Sequence, residues 1–106
     1  MAWVILIVAG IFEVGWAVGL KFTEGFTRVW PSILTVCAMV ISMALLGVAV
    51  RTLPLGTAYA VWTGIGTAGT VLLGMLALGE PASLMRIVFV LLILLGIIGL
   101  KLVTSA

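Results

Sequence analysis

The chain has no histidine and one cysteine, Cys37, among 106 residues. Imidazole and thiolate are the usual transition-metal ligands, so no dedicated metal site is expected. A lone cysteine inside an apolar run reads as a small apolar filler rather than a redox centre. Acidic and basic residues together make up only 8% of the chain, with a net charge of +2 and no basic tract, which argues against a nucleic-acid partner. No nucleophile–base pair and no phosphate-cradling glycine loop is present, so neither enzymatic chemistry nor a cofactor is expected. The N-terminus lacks the basic region of a signal peptide and carries an acid at Glu13.

What is abundant is apolar sequence. The composition is 65% hydrophobic, and uncharged stretches run over residues 29–50, 52–79 and 87–100. A helix needs about 20 residues to cross a hydrocarbon core of ~30 Å. The last stretch is shorter, but Arg86 and Lys101 can extend their stems toward the headgroups. The pattern predicts an all-α membrane protein, a single domain of residues 1–106. Its four transmembrane helices are placed at about residues 2–20, 30–50, 53–78 and 84–103. Connectors carry the expected punctuation: Glu24-Gly25 before Pro31, the tight link Arg51 to Pro54, and Gly79-Glu80-Pro81. Trp3 and Trp30 fall near span ends, where aromatic belts sit.

Glu13 breaks the pattern, with twelve uncharged residues before it and seven after. A charge at mid-membrane depth is costly and usually faces a polar cavity with a functional partner. No Lys, Arg or His lies inside the apolar stretches to neutralise it. It must hold a proton, meet a copy of itself, or receive a cation. At 1.5 Å per residue, Glu13 lies roughly 16 Å into its span. From the same side Trp62 lies roughly 14 Å deep, Ser42 about 12 Å and Tyr59 about 9 Å. Gly10, Trp16 and Ala17 share the helical face of Glu13.

One slab of membrane therefore holds a carboxylate, aromatic faces suited to cation–π attraction, and groups able to orient the carboxylate. Buried indole N–H groups want acceptors, and Glu13 is the obvious one. Ordinary packing could account for each tryptophan, interfacial anchoring for Tyr59, and a bond to its own helix for Ser42. Their shared depth favours a cation site.

Gly64 and Gly66 weaken the third span at its middle, as a hinge or as points of close packing. Gly96 and Gly99 are small residues among Leu and Ile, suited to helix–helix dimerisation or to lipid-facing packing. Four spans put Arg51 and Lys101 on one side and Lys21, Arg28 and Arg86 on the other. Two against three is almost no orienting bias. It is compatible with insertion both ways up, and equally with a fixed topology set by other details. Dual insertion would permit an antiparallel dimer with two Glu13 residues in one cavity. Two such carboxylates resist ionising together and titrate as a pair, so protons and a cation would compete for them.

The whole chain resembles the small multidrug resistance family. The resemblance rests on the length, the four spans, Glu13, and the run Gly56-Thr57-Ala58-Tyr59-Ala60-Val61-Trp62-Thr63-Gly64-Ile65-Gly66. Finer features are similar to its guanidinium-exporter subtype: Phe12-Glu13-Val14 with Trp16, Lys21, Gly25-Phe26-Thr27-Arg28, and Gly96-Ile97-Ile98-Gly99-Leu100-Lys101. The resemblance implies an antiparallel homodimer in a bacterial inner membrane, exchanging guanidinium for protons. It maps the central carboxylate onto Glu13 and its neighbours onto Trp16, Ser42, Tyr59 and Trp62. It maps the hinge onto Gly64–Gly66 and the dimer-forming helix onto the Gly96 region. Gly15 and Gly19 are expected to loosen the first helix and alter substrate range.

Guanidinium suits this cast, because its planar N–H groups pair with a carboxylate and its face stacks on indole. A quaternary ammonium ion offers no donors, and export of such drug cations is the alternative. A proton-carrying subunit of a larger assembly and a cation channel are the rivals from other classes. The former leaves the mid-depth aromatics unexplained, and the latter would conduct without a proton gradient.

Overall fold

The computed structural model describes residues 1–104; the last two residues of the predicted domain lie outside the described residues. It contains four helices: α1 (Ala2–Phe22), α2 (Val29–Ala49), α3 (Leu55–Ala77) and α4 (Leu84–Val103). All four are long and apolar enough to cross a membrane. The predicted third span begins two residues early. Pro54 has an extended ψ of 137° and forms the N-cap, while Leu53 is buried in the connector instead of extending the helix. Pro31 sits in the first turn of α2, where its missing N–H costs no helical bond.

The helix ends are set by local chemistry. At the end of α1 the Thr23 hydroxyl donates to the Leu20 carbonyl at 2.8 Å and accepts from the Phe26 amide at 3.2 Å. The chain then runs through three consecutive positive-φ residues, Glu24, Gly25 and Phe26, which stops the helix. At the end of α3, Gly79 takes φ 72°, letting the Glu80 amide reach back to the Gly74 carbonyl at 3.0 Å. Ser83 caps α4 by accepting from the Arg86 amide at 3.2 Å.

α1 is the central helix, flanked by α2 and α3, and α4 packs along α3. Glycines allow close approach between backbones. A Cβ on Gly10 would stand 2.6 Å from the Cγ2 of Ile65, and one on Gly69 would stand 2.5 Å from Val14, so α1 and α3 interlock reciprocally. Gly19 lies beneath the Thr35 side chain, fixing α1 against α2. Leu6, Ala9, Ala49, Leu53, Ala58, Val61 and Trp62 form the core. The Lys101 ammonium lies 5.3 Å from the Trp3 ring centroid, which puts the end of α4 on the side where α1 begins.

The molecule is a thin plate, 43 × 34 × 17 Å. Its short dimension is under two helix diameters of about 10–12 Å. Of α4, only Val90 is buried among the described residues. Most large apolar side chains face outward, as expected when the surroundings are lipid or a second subunit.

Candidate functional site

Glu13 lies on the α3-facing side of α1, directly against Gly66. A Cβ on Gly66 would collide with the Glu13 carboxylate and stand 2.7 Å from its Cγ. Only a bare backbone at this position lets a carboxylate lie between the two helices. Around it opens a cleft of about 250 Å³, lined by Glu13, Trp16, Ala17, Gly66, Thr67, Thr70 and Val71. Three polar atoms of this cleft are buried without a protein hydrogen-bond partner: Glu13 Oε1, Trp16 Nε1 and Thr70 Oγ1. Buried polar atoms are almost always satisfied, so three orphans in one cleft mark a place shaped for water or a ligand. They comprise an acceptor, a donor, and a hydroxyl that can act as either.

The other predicted site residues form a second assembly. The Trp62 indole N–H donates to Ser42 Oγ at 2.9 Å, and the Ser42 hydroxyl donates to the Ala9 carbonyl at 2.7 Å. Ser42 therefore bonds across to α1 and not back to its own helix. This also corrects the expectation that the Trp62 N–H would seek Glu13. In the helix ladder Ala9 O is the acceptor for the amide of Glu13. The chain of bonds thus links the α3 aromatic to the turn that carries the carboxylate. The Tyr59 ring stands 5.7 Å from the Trp62 ring at 54°, a tilted aromatic pair, and is more than half exposed.

Gly10, placed with the site by its helical face, is buried under Ile65 and acts as a packing point. α3 runs unbroken through Gly64 and Gly66. A Cβ on Gly64 would stand 2.9 Å from Ile97 Cδ1 of α4, so the two glycines seat α3 against opposite neighbours. Gly96 and Gly99 meet nothing within 4 Å and lie open on α4. α1 is likewise continuous through Gly15 and Gly19. Cys37 is free and exposed on α2. Thr67 and Thr70 were missed from the sequence. Their signal is the four- and seven-residue spacing from Thr63, which strings hydroxyls along one face of α3.

Depth, an orphan carboxylate and a thin four-helix plate define a small multi-pass membrane protein built around one intramembrane acid. The chain matches the Small Multidrug Resistance protein family over residues 1–93. It is 60% identical over 104 residues to the "Guanidinium exporter" of Escherichia coli (strain K12), covering 98% of this chain and 99% of that protein. Proteins of the same description from Citrobacter freundii and Salmonella typhimurium are 59% identical over the same shares. The chain belongs to the small multidrug resistance family, as a multi-pass protein of the bacterial inner membrane.

Proposed function

We propose that this protein exports guanidinium and small guanidinyl cations in exchange for protons, working as an antiparallel homodimer. The observation that carries the reading is Glu13, whose Oε1 is buried and unpartnered beside Trp16 in a cleft fit for a small cation. A guanidinium ion would donate paired hydrogen bonds to the carboxylate and present its face to the indole. Thr70 Oγ is placed to accept a further N–H. Either a proton or the cation neutralises Glu13, not both, and that exclusion couples the two fluxes.

Dimerisation is supported by three features. A plate 17 Å thick cannot by itself surround a pathway. Gly96 and Gly99 leave a smooth, uncovered stripe on α4. The cationic residues of the two sides are nearly balanced, which suits opposite insertion of two copies. Inverted symmetry is how many transporters obtain two access states around one site. α3 is the natural moving element, because its contacts at Gly64 and Gly66 are close and unbranched on the glycine side.

Glu13→Gln keeps the shape and removes the titratable group. In proteoliposomes with an imposed pH gradient, wild-type protein should accumulate guanidinium and Glu13→Gln should not. Proton-driven guanidinium uptake surviving in Glu13→Gln sinks the mechanism, and transport of quaternary ammonium ions alone sinks the substrate assignment.

A further inference from the structure

A second groove lies away from Glu13 and is roomier than the cleft around it. It holds about 540 Å³ between α1 and α2. Its α1 wall is Phe12, Gly15, Gly19 and Phe22, and α2 contributes Leu34 and Ala38 among others. At 3.6 residues per turn, Gly15 and Phe22 lie about 160° and 180° round α1 from Glu13. A second copy that meets this one through the Glu13 face therefore leaves the groove turned to the bilayer. In that orientation alone the argument rests on the proposed dimer.

One end of the groove is Arg28, the residue before α2. Arg28 forms no ion pair among the described residues, and Glu24 of the same connector does not neutralise it. From Arg28 to Ala38 the helix rises about 15 Å, half of a ~30 Å hydrocarbon core. The groove thus runs from one headgroup layer to the membrane centre, with a cation at its shallow end and apolar walls below. Gly15 meets nothing within 4 Å, so the floor there is open where a larger side chain would fill it.

We propose that this groove is a binding site for an anionic phospholipid, one acyl chain lying over Gly15 and Gly19 and the phosphate paired with Arg28. Length, apolarity and charge together fit one leaflet's lipid. An arginine near the headgroup layer contributes about fivefold to affinity for anionic lipid. In an antiparallel dimer the two grooves would open to opposite leaflets, so each leaflet would hold one lipid.

Native mass spectrometry of the detergent-solubilised protein titrated with phosphatidylglycerol or phosphatidylcholine tests this. Wild-type protein should retain phosphatidylglycerol in preference to phosphatidylcholine. Arg28→Gln should lower phosphatidylglycerol affinity about fivefold and abolish the preference. Gly15→Leu, whose Cβ has open space, should weaken retention of both lipids. Equal retention of the two lipids by the wild type, or unchanged retention in either variant, overturns the proposal. So does a disulfide between two copies of Gly15→Cys in a Cys37→Ser background, which would make the occupant a second chain. Displacement of the lipid by an alkylguanidinium would instead make the groove part of the transport route. Because the readout is binding, a failure of guanidinium exchange leaves the lipid result standing.

Discussion

Gly66→Ala tests the site at its tightest point. The added methyl would collide with the Glu13 carboxylate, which is held in a gap only glycine leaves. Two effects oppose each other. Alanine in a helix interior gains up to about 1 kcal/mol over glycine, whereas overpacking a close contact costs roughly 1–3 kcal/mol. The net loss of stability is therefore about 0–2 kcal/mol, and the protein should still fold. The larger effect falls on the carboxylate, which must swing out of line with Trp16 and Thr70. Losing a hydrogen bond to a charged group costs about 1.5–3 kcal/mol, so guanidinium affinity should fall by roughly 10- to 100-fold. Gly15→Ala, with nothing within 4 Å, is the matched control, gaining helix propensity with no clash. Detergent thermal unfolding gives the stability terms, and guanidinium titration with proteoliposome exchange gives the affinity. Gly66→Ala holding guanidinium within threefold of wild type would refute the placement of Glu13 against Gly66.

Ser42→Ala strands the buried Trp62 N–H and should destabilise by about 1–3 kcal/mol, while adding Trp62→Phe should cost little more; additive losses in a double-mutant cycle would show the bond to be unimportant. Thr70→Val replaces the orphan hydroxyl isosterically and should weaken guanidinium binding about tenfold while sparing quaternary ammonium ions. Thr70→Ser should restore it, and equal loss for both cation types would assign Thr70 a packing role only. At Gly96 and Gly99 an added Cβ meets nothing within 4 Å of the described subunit, so Gly96→Leu and Gly99→Leu start into open space. They should nonetheless shift the protein toward monomer in crosslinking or light scattering, and an unchanged dimer would move the interface elsewhere.

Several of these residues differ sharply in how legible they were. Glu13 was found from composition alone, because one carboxylate in a long uncharged run has no bland explanation. The helix limits came from the spacing of charges and prolines and fell within two residues of the observed ones, the misses of two lying at Phe22, where α1 continues past Leu20, and at Pro54, which caps α3 after a buried Leu53. Trp62 and Ser42 were placed at a common level, but Trp62 was paired with Glu13 and the partner of Ser42 was left open. Their hydrogen bond to each other, and from Ser42 to Ala9, depends on how α1, α2 and α3 are turned. Thr67 and Thr70 were passed over because threonine is unremarkable in a membrane helix until its hydroxyl is seen to be stranded in a cleft.

The division has a physical cause. Depth along a membrane helix is a one-dimensional quantity, fixed by 1.5 Å per residue from whichever charge marks the interface, so sequence alone determined the spans and their shared slab. Rotation about each helix axis is not coded that way here, because these helices are apolar on nearly every side and no polar face points outward. That rotation is decided by which small residue lets which neighbour approach. Only the tertiary structure could show Gly66 beneath Glu13, Gly10 beneath Ile65, and Gly15 open to the groove.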